Sequence, residues 1–322
     1  MADYKAKGVT IREDVKEVLD QRPKTEYMAD RILPPLRTRA TGGEFFYIGA
    51  GEGKKKFDTR RAPDGTYNSG DYKLQKDVFS TAEHGFEMRV DLTEELAMKE
   101  IFDERVAASE MSLEALLIDR EDRCSKALFN TTTFTGAGYT AAAAKLWSDK
   151  SADIKADIKI MSAPIKTRMG IGQKKLSLIV NADIVDDMIS TIADQTNISS
   201  NVALELQDEN TRLRAIVRYL NIKEIIEVSS LYDTTGLNTD SDASFTDMWD
   251  PTMAMLAYVS PTTNSWKAGG VGRQPVWSKL TNTYLVESYD DPKRRSEFTR
   301  CLDQRGEKVF KEYGFLMTGV SA

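Results

Sequence analysis

The spacing of apolar residues changes several times along the chain, and each change marks a structural boundary. Residues 1–40 open as a charged amphipathic stretch with Val9, Ile11, Val15, Val18 and Leu19, then pass into Ala29-Asp30-Arg31-Ile32-Leu33-Pro34-Pro35-Leu36. Paired prolines oppose helix, so this end of the segment reads as an extended arm. Residues 41–90 contain Phe45-Phe46-Tyr47-Ile48, then Gly49, Gly51 and Gly53, the turn Ala62-Pro63-Asp64-Gly65, and a flank in which Phe86, Met88 and Val90 alternate with Glu87, Arg89 and Asp91. Strand, polar tip and strand predict a long β-hairpin. Its apolar content is thin, and an isolated two-stranded ribbon is marginal in water, so it needs a neighbour to lie against.

Leu92, Leu96, Phe102, Val106, Leu113, Leu117, Cys124 and Leu128 then recur at helical spacing as far as Asn130, with Asp91 and Glu94 placed as an N-terminal cap. The pattern predicts a single amphipathic helix of about 58 Å, packed along a sheet. Beyond the Thr/Gly/Ala-rich connector 131–144 the chain alternates types. A helix is expected over 152–169 despite Pro164, and a buried strand at Leu176-Ser177-Leu178-Ile179-Val180. Ile184, Val185, Met188, Ile189 and Ile192 make one helix face; Leu213, Ile216, Val217 and Leu220 make another. Short strands at 224–228 and 252–259 complete a mixed α/β unit. From Val276 onward, Tyr284–Tyr289, Phe298–Leu302, the turn Gln304-Arg305-Gly306-Glu307 and Val309–Val320 predict an antiparallel meander covering the long helix.

Composition narrows the function classes. The 322 residues carry 44 Lys and Arg against 50 Asp and Glu, a net charge of −6, with 41% hydrophobic and 29% charged residues. That is the profile of a soluble globular chain of roughly two domains, without the basic surplus of a nucleic-acid binder. No apolar run approaches the ~20 residues of a membrane-spanning helix, and the start lacks a signal-peptide pattern, so synthesis in the cytoplasm is expected. The single histidine, His84, falls in an apparent turn and cannot supply a His-rich metal site. Cys124 and Cys301 lie far apart with no second cysteine near either, and read as reduced core thiols.

The motifs that invite chemistry fail on inspection. In Gly49-Ala50-Gly51-Glu52-Gly53-Lys54-Lys55, Ile48 stands where a phosphate loop needs its first glycine, and Lys55 replaces the Ser/Thr. Gly170-Ile171-Gly172 follows a helix rather than a strand and reads as a helix terminator. Asn238-Thr239-Asp240-Ser241-Asp242 imitates a calcium loop, yet Ala243 and Trp249 occupy the glycine and glutamate positions. The adjacent pairs Glu94-Glu95, Asp186-Asp187 and Asp290-Asp291 point to different faces of their elements. No catalytic, cofactor or metal constellation is expected. One asymmetry remains: residues 1–61 hold 14 Lys and Arg against 10 Asp and Glu, a basic arm on an acidic body. Lys54, Lys55, Lys56, Arg60 and Arg61 concentrate that charge near the hairpin tip and are the candidates for contact between copies.

This order of parts resembles the major capsid protein of tailed bacteriophages, the Hong Kong 97-type shell subunit. Local stretches are similar too: Ala29-Asp30-Arg31-Ile32-Leu33-Pro34, Arg61-Ala62-Pro63-Asp64-Gly65, Leu117-Ile118-Asp119-Arg120-Glu121, Leu146-Trp147-Ser148-Asp149 with Asp153-Ile154, and the closing 284–320. The resemblance implies an α+β fold with an N-terminal arm (1–40), an extended loop (41–90), a peripheral domain with a spine helix (91–148), an axial domain (149–272) and returning peripheral strands (273–322). It further implies a non-enzymatic structural protein of the virion. Copies would assemble as hexamers and pentamers into an icosahedral head around double-stranded DNA, held without sequence-specific binding. A portal and a separate scaffold protein would be the partners, because the segment before the arm is short. Two alternatives are a nanocompartment shell of the encapsulin kind and a soluble α/β enzyme.

Overall fold

The computed structural model describes residues 10–11, 27–50, 52–56, 59–61, 65–98, 103–194, 212–235, 244–261, 266–278 and 284–321. The arm contributes β1 (Thr10–Ile11), a single helical turn α1 (Ala29–Ile32) and β2 (Pro35–Thr38). The hairpin is β3 (Gly42–Ile48) and β4 (Leu74–Ser80), followed by β5 (Ala82–Asp91), α2 (Leu92–Met98) and α3 (Glu104–Leu128). Next come β6 (Thr140–Ala142), α4 (Ile154–Met169), β7 (Ser177–Asn181), α5 (Ala182–Asp194), α6 (Arg212–Leu220) and β8 (Glu224–Val228). The remaining strands are β9 (Leu231–Asp233), β10 (Phe245–Asp247), β11 (Met253–Ala257), β12 (Gly272–Trp277), β13 (Leu285–Asp291), β14 (Ser296–Arg305), β15 (Lys308–Val309) and β16 (Gly314–Thr318). The amphipathic residues Val9, Val15, Val18 and Leu19, the turn residues Ala62–Asp64 and the calcium-like segment 238–242 lie outside the described residues.

Two larger sheets organise the molecule. In the first, β14 is flanked by β5, paired from Ser296↔Asp91 to Arg305↔Ala82, and by β13, with β1 beyond it. β12 joins at Val276↔Arg305 and carries β2 in parallel and β15 antiparallel. The second sheet runs β6-β16-β11-β7-β8, with parallel pairs at both ends.

The second sheet is buried on both faces. Leu178, Val180, Ala254, Leu256, Phe315 and Met317 point toward a layer built on α4, α5 and α6. Their neighbours Ile179, Met255, Ala257 and Leu316 point the other way, onto Ala29 and Ile32 of the arm, Cys124 and Leu128 of α3, and Trp249. The period-2 alternation of strand side chains requires both layers to be present. Pro164 is accommodated inside α4, and Gly170, at φ 62°, ends that helix in the left-handed conformation that glycine adopts without steric cost.

Four expectations are corrected. The returning strand of the hairpin is β4, paired with β3 from Gly42↔Ser80 to Ile48↔Leu74, whereas the flank with Phe86, Met88 and Val90 is β5, which pairs along its whole length with β14 of the first sheet, a partner distant in sequence that local alternation does not reveal. The long helix is broken at Asp103, which takes an extended conformation in which its carboxylate accepts the N–H groups of Arg105 and Val106. A side chain that caps the next turn competes with continuation of the previous one, so a run read as one helix becomes two. α3 is nevertheless 25 residues, about 37 Å, long enough for Leu113 and Leu116 to meet Tyr284, Val286 and Cys301 on the first sheet while Cys124 and Leu128 reach the second. The meander also divides. β13 and β14 pair as expected, but β16 crosses into the second sheet between β11 and β6. Its consecutive buried residues Phe315, Leu316 and Met317 suit a sheet covered on both faces, not a one-sided meander. His84 lies within β5 opposite Asp303 rather than in a turn, with Nδ1 3.5 Å from Asp119 Oδ2.

Candidate interface between copies

The β3–β4 hairpin has two unlike faces. Register pairs Phe45 with Asp77, Phe46 with Lys76 and Ile48 with Leu74, so alternation sends Phe45, Tyr47, Asp77 and Phe79 one way and Phe46, Ile48, Leu74 and Val78 the other. The first face is clamped to the body. Phe45 stacks on Trp266 with ring centroids 4.2 Å apart and planes 9° from parallel, Phe79 lies 5.5 Å from the same indole, and Phe310 meets Phe45 edge-on. Lys308 Nζ, 2.8 Å from Asp77 Oδ1, adds an ion pair. Partial burial works to raise the Asp77 carboxyl, but the Lys308 ammonium and the Val78 N–H outweigh it and hold it below the usual carboxylate range.

The second face is uncovered. Phe46 is 64% exposed, Ile48 54%, Leu74 57% and Val78 59%, with only the Glu44–Lys76 ion pair (3.0 Å) among them. Four large apolar side chains on one side of a ribbon are the mark of a surface that meets something else. The sequence contained the signal, since Phe46 and Ile48 stand two apart and Leu74 and Val78 four apart, both even strand spacings, but only the register shows that all four share a side.

The five predicted contact cations have different engagements. Lys54 Nζ donates to the Met169 carbonyl at 2.7 Å and to that of Gly170 at 3.3 Å, capping the electronegative C-terminus of α4 in its own chain. Lys55 pairs with Glu52 at 2.6 Å. Lys56 and Arg60 are exposed. Arg61 donates from Nε to the Gly65 carbonyl at 2.7 Å and covers the Tyr67 ring at 4.9 Å.

Elsewhere, buried ionisable groups serve as struts. Glu121 on α3 accepts from Met28 N, Ala29 N (2.8 Å) and Trp249 Nε1 (2.8 Å), and burial pushes its carboxyl up despite those bonds. Arg305, on β14, pairs with Asp303 at 2.9 Å and Asp30 at 3.2 Å. Asp157 accepts from Trp147 Nε1 inside the helical layer. Burial pushes the Cys301 thiol up to about 12, which leaves it protonated and inert as a nucleophile. Among the described residues no group of three or more His, Cys, Asp or Glu is placed to hold a metal ion, and no helix is long and apolar enough to cross a membrane.

These parts define a class: a Hong Kong 97-type capsid fold of the α+β kind, with an arm seated in the core, a hairpin clamped by one face, a spine helix and a two-sided sheet domain. Comparison with solved structures gives the particulars. The chain is similar to a phage-related protein from Bordetella bronchiseptica RB50, at 15% identity with a TM-score of 0.67, covering 97% of this chain and 98% of that one. It is similar to the capsid of Cyanophage P-SCSP1u at 7% identity and a TM-score of 0.57, covering 94% and 90%. It is also similar to a virus-like particle from Pyrococcus furiosus at 12% identity and a TM-score of 0.53, covering 95% and 98%. No family model and no curated protein sequence matches the chain.

Proposed function

We propose that this chain is the major capsid protein of a tailed bacteriophage, a structural and non-enzymatic subunit whose copies close as hexamers and pentamers into an icosahedral shell around double-stranded DNA. The observation that carries the reading is the uncovered apolar face of a hairpin whose opposite face is clamped, set on a fold otherwise seen in capsids. A clamped ribbon has already lost much of its conformational freedom, so docking a second copy on Phe46, Ile48, Leu74 and Val78 wastes little entropy on ordering. In this reading residues 41–90 lie over a neighbouring subunit, 91–148 and 273–322 form the peripheral domain, and 149–272 form the axial domain that turns toward the capsomer centre. Lys56, Arg60 and Arg61 add basic contacts at the hairpin tip. A portal, a separate scaffold protein and the packaged DNA are the partners; the virion is the location, and the host cytoplasm the site of synthesis.

Sedimentation of the full chain, with electron microscopy of any fast fraction, tests this. Shells, or rings that close on adding a scaffold, are the expected result; a monomer that stays a monomer under all such conditions overturns it. Phe46→Ser with Val78→Ser should leave the monomer folded and reduce shell yield several-fold, since exposed apolar area buried between copies is lost. The likeness to the Pyrococcus furiosus virus-like particle supports a second reading, a protein compartment without a genome. Nucleic acid in purified particles selects the first reading, and a protein cargo the second.

A further inference from the structure

The hairpin is held to its own body at two places. At the root, Phe45 and Phe79 pack on Trp266, and Lys308 pairs with Asp77. At the tip the contact is made by Lys54, whose Nζ donates to the Met169 carbonyl at 2.7 Å and to the Gly170 carbonyl at 3.3 Å. Lys55 and Arg61 bond within the tip itself, to Glu52 and to the Gly65 carbonyl. The described residues of 49–73 are mostly exposed, and none belongs to either larger sheet.

The end of α4 is a prepared seat for that ammonium. Arg168, a cation of its last turn, would ordinarily serve the free carbonyls of the helix. Here it turns instead to the Gly138 and Gly314 carbonyls and covers the Tyr139 ring at 4.0 Å. The Met169 and Gly170 carbonyls are left to a lysine from elsewhere. Gly170 keeps the seat open, because a Cβ there would fall 2.7 Å from Lys54 Nζ. The glycine that φ 62° favours as a helix terminator thus also makes room for the ammonium.

The tip contact is exchangeable. It joins one ammonium to partial charges at a site that water reaches, and such a contact is weak on its own. The ribbon it belongs to leaves Phe46, Ile48, Leu74 and Val78 bare while the tip is seated within the chain. We propose that Lys54 changes seats on assembly: it caps its own α4 in the free subunit and the α4 of a second copy in the capsomer, while the clamp at Trp266 stays closed. This exchange rests on the shell reading above and adds to it the seat of the tip and its two states. Every copy carries both the lysine and the seat, so the contact made between copies repeats the one made within a chain and nothing is lost by swapping it. Burial of the bare apolar face against the second copy supplies the drive. From Ile48 to Lys54 the extended chain reaches about 20 Å, so a neighbouring α4 within that distance can be met without opening the root.

Crosslinking in the full chain tests this, because Cys124 and Cys301 are buried and leave introduced cysteines as the reactive thiols. Lys55→Cys places a thiol beside Lys54, and Lys166→Cys places one on the last turn of α4, both at exposed positions. A chain with both substitutions, kept dilute and unassembled, should be linked within itself by a short bismaleimide. Chains carrying one substitution each, assembled together and then treated, should give a covalent pair in about fivefold greater yield than either variant assembled alone. Lys54→Ala in both chains should cut that yield several-fold without changing the circular dichroism spectrum. Assembled mixtures with no excess of the pair, or with the same excess after Lys54→Ala, overturn the exchange and leave the shell reading standing. So does a double variant that stays linked within itself after assembly, or one that does not link when unassembled. An unmodified chain that never assembles removes both.

Discussion

Glu121 ties three distant pieces of chain together with one carboxylate: the first turn of the arm helix through Met28 and Ala29, the spine helix on which it sits, and Trp249 from the segment before β11. Removing it strands buried donors, which costs about 1–3 kcal/mol for each group left unsatisfied. Glu121→Ala is therefore expected to lower unfolding free energy by a few kcal/mol in urea titrations. Its pH dependence has a definite sign. A carboxyl raised above its ordinary value of 4.5 by burial favours the folded state in its protonated form. The contribution is present below the ordinary value and is lost as pH climbs through the raised one. The stability of the unmodified chain relative to Glu121→Gln should accordingly fall with rising pH across that window, and a difference that rises would contradict the assignment.

At the scale of elements, the break between α2 and α3 and the clamp of the hairpin decide how the parts are presented. Asp103→Ala removes the cap that α3 starts from and should cost about 1 kcal/mol, seen as a shift in denaturation midpoint. The hairpin depends on Trp266, which packs against both Phe45 and Phe79. Trp266→Ala should leave the two sheets folded while hydrogen exchange of 42–48 and 74–80 speeds up, since a two-stranded ribbon has little stability of its own. Uniform acceleration across the molecule would mean that the indole supports the body and not the ribbon.

At the scale of the whole molecule, one α3 spans two cores, and one β16 returns the C-terminal segment to a sheet begun far earlier in the chain. These long-range connections tie the two cores together without using exposed side chains, so surface residues can be altered without removing a core contact. Arg60→Glu with Arg61→Glu, at exposed positions, should thus leave the melting temperature within a degree or two and weaken shell formation. Shells at normal yield would reduce that tip to a means of keeping the ribbon soluble.

Local pattern determined much of this on its own. Helix faces in α4, α5 and α6, the buried strand β7, the short strand β8, the terminator Gly170 and the first hairpin strand β3 follow from periodicity and left-handed glycine, which act within a few residues. The order of those parts was enough to suggest the capsid fold. Tertiary structure alone decided the rest. Asp103 ends one helical run because its side chain caps the next, a choice that apolar spacing does not encode. β16 joins β11 because its consecutive buried residues need partners on both faces, and those partners lie in other parts of the chain. Lys54 met its own α4, and Phe46, Ile48, Leu74 and Val78 came to share one bare face, through register and docking. Pairing between strands distant in sequence sets both, and a one-dimensional pattern carries the propensity to pair but not the partner.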